Sequence, residues 1–451
     1  MAAAHRYLSG ARESVRFVTN FGGYSGFMRA RGTWVAAAAV AAGLALAAAG
    51  CGGDASSGGR PTLTWFIAHQ GGGAVEKLAE RCSQQSGGRY RIRVELLPTE
   101  ADQQREQLVR RLGAEDPSLD LLGLDVVWTG EFANAGWIRP VPEATRRVVS
   151  RNVFASVLKT ASFKGRMYTV PLWSNTQLLW YRKDRVAKPP ATWDEMIDEA
   201  VRIGPAKGRI QIQAKRYEGL VVLVNQLIES AGTSILAGPT QVRLDKAPTE
   251  RALAILGRLS RSSAAPANLT TSTEETAARG FQAGNSTFMI NYPFVYNSAK
   301  STTPEVFKQM RAARFPRVDP NRPSAPPIGG FNLGVSSYSR HPALAFDATR
   351  CLVSRESQLE VTKLEGLPPV REDLFDEPAV KAAYPGFAEE IRRSIANAGP
   401  RPSESPAYQD LSLAIQRAVH PTTKIDPKNP GPTYDTLRDN VEKAIKREGL
   451  L

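Results

Sequence analysis

Two carboxylates in this chain stand where acid–base work could be done. Asp125 lies in an apolar run, LDLLGLDVVW, and Glu275 opens an amphipathic stretch, STEETAARGFQAG. A pair of acids is what hydrolysis of a glycosidic bond requires, one to protonate the leaving oxygen and one to attack or to activate water. Both positions also have plainer readings, Asp125 as a strand-end acid capping a helix and Glu275 as the acid of a capping box. Around them, Trp128, Asn175, Tyr292, Gly329, Gly330 and Arg371 fall at expected strand ends or turns, where α/β sheets present ligands. Carboxylates, amides and a guanidinium fork pair with vicinal hydroxyls, and aromatic faces cover the C–H side of a sugar ring. These are the groups that a neutral saccharide needs. Trp128 and Tyr292 read equally well as core residues.

Other chemistries find little support. The chain has no G-x-S-x-G elbow, H-E-x-x-H helix or P-loop, and its four histidines are His5, His69, His341 and His420. The three cysteines, Cys51, Cys82 and Cys351, lack clustered histidines, so no metal site and no cofactor is expected. The formal charge is +14; five arginines and one glutamate lie in residues 1 to 50, which leaves about +10 on the remainder. Basic residues are dispersed in short pairs such as Arg110-Arg111, Arg146-Arg147 and Arg392-Arg393 rather than along one helix face. A solvated surface facing anionic lipid fits that dispersal better than a nucleic-acid interface does.

The elements that must position these residues begin after an export signal. Arg29 and Arg31 precede the apolar run Trp34 to Gly50, which ends in small residues, the layout of a secretory signal. Residues 1–50 are read as that signal, with Met28 as its start, and the alternative is a plain N-terminal anchor helix. Residues 51–61 form a Gly/Ser-rich tether. Ala48-Ala49-Gly50-Cys51 resembles a bacterial lipobox, so Cys51 is the expected lipid acceptor. Removing Cys51 from the count leaves Cys82 and Cys351, either bridged across a long loop or present as two buried thiols.

Downstream, strand and helix alternate: a strand at 62–68, a helix at 74–85, a strand at 89–98, a helix at 101–116 with Leu108 and Leu112 on one face, and a central strand at 119–128. This order predicts a mixed or parallel sheet. GRMYTVPLWSNTQLLWYRKD reads as two strands around Ser174-Asn175-Thr176. Thr192 with Glu195 makes a capping box, 217–232 reads as a buried helix, and STFMINYPFVY as a strand. A proline-rich connector leads into the strand IGGFNLGVSS, and a helix over 341–354 carries Cys351.

The stretches AERCSQQSGGRY, LDVVWTGEFANAGW, NTQLLWYRKD, EGLVVLVNQL, NYPFVY, IGGFNLGV and EGLPPVR together resemble the extracellular solute-binding lipoproteins of sugar ABC importers, most nearly the LpqY-type trehalose-binding lipoproteins. The resemblance covers nearly all of residues 62–451. It implies an α/β, two-lobed, periplasmic-binding-protein-like fold of type II, with a hinge and an interlobe ligand cleft. Residues 62–170 with 326–372 would form one lobe, and 171–325 with 373–451 the other. It also implies a Cys82–Cys351 disulfide and a ligand set of Asp125, Asn175, Glu275, Tyr292, Gly329, Gly330 and Arg371, with Gln104, His69 and Gln70 as further contacts. Tyr292 stands where those relatives carry Trp. The expectation is then a monomeric, lipid-anchored receptor on the outer face of the cell membrane. It would capture a disaccharide, expected to be trehalose, and deliver it to ABC permease subunits without chemistry. The rival readings are a glycoside hydrolase using Asp125 and Glu275, a binding protein for another oligosaccharide, and an envelope scaffold without a small ligand.

Overall fold

The computed structural model describes residues 59–447. The expected signal, the Cys51 acceptor and most of the tether lie outside them. Among the described residues, no helix is long and apolar enough to cross a membrane.

Apolar runs that cannot face water on either side become central strands, and polar-edged amphipathic runs become the helices that cover them. β1 (Thr62–Ala68), β2 (Arg91–Leu97) and β3 (Leu121–Asp125) run parallel, joined through helices Ala74–Gln85 and Ala101–Gly113. Leu108 and Leu112 of the second helix are fully buried, as their spacing predicts. A short hairpin, β4 (Ser162–Phe163) with β5 (Arg166–Met167), precedes β6 (Thr169–Asn175). The late strand β11 (Gly329–Val335) returns between β3 and β6, antiparallel to both, which completes a five-stranded sheet in the order β2-β1-β3-β11-β6. β3 is its middle strand, as the sequence suggests.

A second sheet takes the order β10-β7-β9-β8 from β7 (Leu178–Arg182), β8 (Arg209–Gln211), β9 (Ser286–Asn291) and β10 (Met310–Ala313). Helices Trp193–Ile203, Glu218–Ala231 and Lys246–Arg261 share one apolar core with it. This is the two-sheet, type II architecture. The predicted capping box at Thr192 and Glu195 forms on the first of these helices.

The two strands expected around Ser174-Asn175-Thr176 form, as β6 and β7, and they belong to different sheets, so the polar turn between them is a crossover. β6, which contains residue 170, ends at Asn175, paired with Gly329 in the first sheet. STFMINYPFVY is strand only to Asn291, and Phe294–Thr302 is helical. The Asn291 side chain accepts from the Tyr292 N–H at 2.9 Å, and Pro293, lacking an N–H, sits at the helix start.

Beyond the crossover lies a buried amide chain: Gln226 donates to Gln177 at 2.7 Å, Gln177 to Gln213 at 3.0 Å, and Gln213 to the Ile290 carbonyl at 2.9 Å. The proline-rich segment after β10 carries the chain back to the first sheet, and residues 366–371 leave it again. Cys82 is bonded to Cys351, which joins the Ala74–Gln85 helix to Pro342–Leu352.

The loop after β1 is held from far along the chain. The N-cap of the Ala74–Gln85 helix is Gly73, at φ 72°, and provides no side chain. Glu365 takes that role, accepting from the Gly72 N–H at 2.7 Å and the Ala74 N–H at 2.8 Å. Glu365→Ala is therefore expected to cost about 1–2 kcal/mol in chemical denaturation, as loss of an N-cap does. Unchanged stability would mean that water replaces the carboxylate.

Candidate functional site

β1, β3 and β6 finish, and β11 begins, on one edge of the first sheet. Opposite that edge stand the residues after β9 and the starts of helices Glu218–Ala231 and Glu274–Gln282. Between them lies a cavity of about 1150 Å³. His69, Gln70, Gln104, Asp125, Asn175, Glu275, Tyr292, Gly329 and Gly330 all line it. Arg371 does not: it bridges to Val153 and its guanidinium is held by Asp373 at 2.6 Å. Trp128 is also absent from the lining; it is 2% exposed and packs with Phe132 in the core.

The buried cation among the lining residues is Arg401, from the loop between helices Ala388–Ala396 and Tyr408–Val419. It is 3% exposed and forms a triad, donating from Nη2 to Asp125 at 2.8 Å and from Nη1 to Glu218 at 2.7 Å. Glu218 further accepts from the Tyr408 hydroxyl and from Ser412 Oγ at 2.6 Å. Burial pushes the Glu218 carboxyl up, and Arg401 opposes that shift. Asp125 also accepts from the Val127 N–H at 3.2 Å, a local turn before the helix Thr129–Asn134; that helix has no side-chain cap, so the helix-capping reading of Asp125 is corrected.

On the far wall, Thr273 caps the Glu274–Gln282 helix with Thr276 as its partner, so Glu275 is not the capping-box acid; it accepts instead from the Thr273 hydroxyl at 3.1 Å. Glu274 lines the cavity beside it and accepts from the Tyr217 hydroxyl at 2.6 Å. Burial raises the Glu274 carboxyl to about 7; the Tyr217 bond opposes the shift, while Glu275 and Glu218 add to it. A carboxyl whose folded value exceeds its free value contributes stability at low pH, and that contribution is lost as pH rises through about 7. Between pH 5 and pH 8 the unliganded parent should therefore lose about 1–2 kcal/mol that Glu274→Gln retains. Glu229, raised by burial to about 7, has the same sign in both proteins and cancels in the comparison. Parallel denaturation curves over that range would refute the assignment.

Trp173 and Phe331 bring ring surface to the cavity beside Tyr292. Two buried polar atoms of lining residues have no partner within the described chain: Gln104 Oε1, whose amide donates to the Thr99 carbonyl at 2.9 Å, and Arg401 Nε. Glu100, at the rim, pairs with Lys215 from the segment after β8. The arrangement supplies acceptors, a guanidinium and aromatic faces, and its buried cation, Arg401, is already shared by two acids, while Lys300 and Lys363 line the cavity as exposed residues.

Sequence reasoning missed Arg401, Glu218, Glu274, Tyr217 and Trp173. A signal existed for two of them. Glu218 is an acid at the first position of a helix that is otherwise almost wholly apolar, and Arg401 stands between two prolines in the loop PRPSESP.

Comparison with known proteins gives a consistent result. Residues 77–389 match the family model described as bacterial extracellular solute-binding protein. A probable ABC transporter-binding protein of Deinococcus radiodurans is 28% identical over 409 residues, covering 86% of this chain and 94% of that protein. Maltose-bound MalE3 of T. maritima superposes with a TM-score of 0.76 at 27% identity, covering 86% of this chain and 99% of that one. The GacH receptor of Streptomyces glaucescens, at 18% identity and a TM-score of 0.75 over 86% and 99% of the two chains, shares the fold. Relatives of this kind bind solutes rather than transform them, which sets the hydrolase reading aside. The chain belongs to the bacterial extracellular solute-binding protein family.

Proposed function

We propose that the protein is the sugar receptor of an ABC importer. In this reading it is exported, anchored by a lipid on Cys51 to the outer face of the membrane, and captures a disaccharide, trehalose, for the permease. The observation that carries it is the cavity lining, where Asp125 and Glu218 converge on Arg401, Glu274 and Glu275 stand on the far wall, and Trp173, Tyr292 and Phe331 add ring surface. Acids and a guanidinium fork suit paired hydroxyls, and the rings suit the C–H faces of a pyranose. The names of the relatives, a transporter-binding protein and a maltose-bound receptor, point the same way. With ligand contacts on both sides of the cleft, affinity is greatest when the lobes close on the solute.

One observation favours a second reading within the same class. The cavity, about 1150 Å³, exceeds the usual range for small-molecule sites, roughly 300–1,000 Å³. An oligosaccharide longer than two rings therefore also suits it.

The test is titration calorimetry of the purified protein against trehalose, maltose, maltotriose and glucose, with the sugar analysed afterwards. Saturable binding with the sugar recovered intact supports the receptor; release of glucose from trehalose, or no binding to any of the four, refutes it. Intact-mass analysis of protein from its native membrane should show none of residues 1–50, and retention of Trp34 would remove the lipid anchor.

A further inference from the structure

The Glu218 carboxylate lines the cavity, yet its hydrogen-bonding capacity is spent inside the protein. Oε1 accepts from both Arg401 and Tyr408, and Oε2 from Ser412. Its side chain is 7% exposed. An acid so engaged has little left with which to hold a solute hydroxyl.

Arg401 is the opposite case. Nη2 is fixed by Asp125, the last residue of β3 in the first sheet, and Nη1 by Glu218, the first residue of a helix packed on the second sheet. Nε is buried without a partner in the described chain, on a residue that lines the cavity. The loop that carries Arg401 has no regular structure of its own to orient a long side chain: it runs from Gly399, bridged to Pro327, to Ser403, whose carbonyl stands where a Cβ on Gly130 would need to be. Orientation of the guanidinium must therefore come from the two acids.

We propose that Glu218 is a positioning residue for solute capture, acting through Arg401: with Asp125 it fixes the guanidinium that lines the cavity, so that this charged group is held in place for the bound sugar. The proposal rests on the receptor reading above. Removing the charge of Glu218 lets the guanidinium swing toward Asp125 alone, and the solute loses an aligned, charge-assisted donor. A residue that only stitched its helix to Tyr408 and Ser412 would affect stability and leave affinity alone.

A double-mutant cycle read by calorimetry with trehalose and maltose separates the two roles. Glu218→Gln, nearly isosteric, is expected to weaken binding at least tenfold in the parent and less than twofold in an Arg401→Gln background. Glu218→Asp keeps the charge but shortens its reach, and should also weaken binding by more than fivefold. Tyr408→Phe removes a bond to the same oxygen without touching the guanidinium, so it should lower Tm and change affinity by less than threefold. Equal losses from Glu218→Gln in both backgrounds, parent-like affinity in Glu218→Asp, or a loss in Tyr408→Phe as large as in Glu218→Gln would each overturn the positioning role. Parent-like affinity in Glu218→Asp does so even where Glu218→Gln fails to fold. Those outcomes, with the parent binding sugar, leave the receptor reading intact; failure of the parent to bind any of trehalose, maltose, maltotriose and glucose overturns both.

Discussion

Arg401→Ala is expected to lose about 3–5 kcal/mol of folding stability, because it leaves two carboxylates without their shared cation. Asp125 and Glu218 converge on that guanidinium at 2.8 and 2.7 Å, and the arginine side chain is 3% exposed. At roughly 2 °C of Tm for each kcal/mol in a chain of this size, the melting temperature should fall by about 6–10 °C. Solute affinity should drop at least about a hundredfold, since a buried charged donor is removed and its neighbours are left repelling one another. The deficit has a pH signature. Burial already raises the Glu218 carboxyl while Arg401 opposes that shift, so losing the cation raises it further. A raised carboxyl contributes its stability below its folded value, and the mutant should therefore recover part of the lost Tm at pH 5 relative to pH 8. Arg371→Ala provides the contrast. Its guanidinium pairs with Asp373 outside the cavity, so a stability change below about 1 kcal/mol is expected, with parent-like sugar affinity. Were the two variants to exchange these behaviours, the cavity would not be the site.

That contrast also shows where the sequence stops being informative. The strands came from local pattern: TLTWFIA has no polar face, IGGFNLGV follows a proline-rich segment in which regular structure is excluded, and Asp125 ends the apolar run of the middle strand. Residues at the ends of such strands, Asp125, Asn175 and Gly329-Gly330, converge wherever the strands pair, so alternation alone places them on one edge. Arg401 and Arg371 differ in nothing local. Each is an arginine in a loop beside prolines, and only the packing of residues 399–405 against Gly130 and Pro327 brings one of them under the cavity. Glu274 and Glu275 are adjacent, and the choice between them depends on which one faces Tyr217 across the turn. Whether the turn at Thr176 joins strands of one sheet or of two is not legible locally, because a strand pair within one sheet and a strand pair split between two sheets have the same alternation. Their difference lies in long-range hydrogen bonds, from Asn175 to Gly329 on one side and from Leu178 to Asn291 on the other.

Gly330→Val should be the most damaging backbone substitution at this crossover. Gly330 has φ 120°, a region that side chains with a Cβ rarely enter. A Cβ there would lie 2.2 Å from the Trp173 carbonyl oxygen and 2.9 Å from the Ser174 Cα. Both obstacles are backbone atoms of β6, so neither can rotate away as a flexible side chain would. Relief requires β6 to separate from β11 just before the chain crosses at Thr176 and Gln177. That movement strains the pairing of Gly329 with Asn175 and disturbs the buried Gln177 bonds. Backbone strain of about 1–3 kcal/mol and steric overpacking of about 1–3 kcal/mol act together here. A loss near 4 kcal/mol is therefore expected in denaturant titration, with sugar binding reduced in proportion to the displacement of Asn175. Gly329 is the control. A methyl there meets Asn175 Cβ at 3.6 Å and Tyr292 Cε1 at 3.7 Å, ordinary contacts, so Gly329→Ala should fold within about 1 kcal/mol of the parent. Its methyl occupies the gap between a crossover residue of one lobe and the aromatic wall of the other, and so should weaken the solute more than the fold. Parent stability in Gly330→Val would mean that β6 and β11 yield at this point, and parent-like sugar affinity in Gly329→Ala would mean that the solute is held away from the edge where they meet.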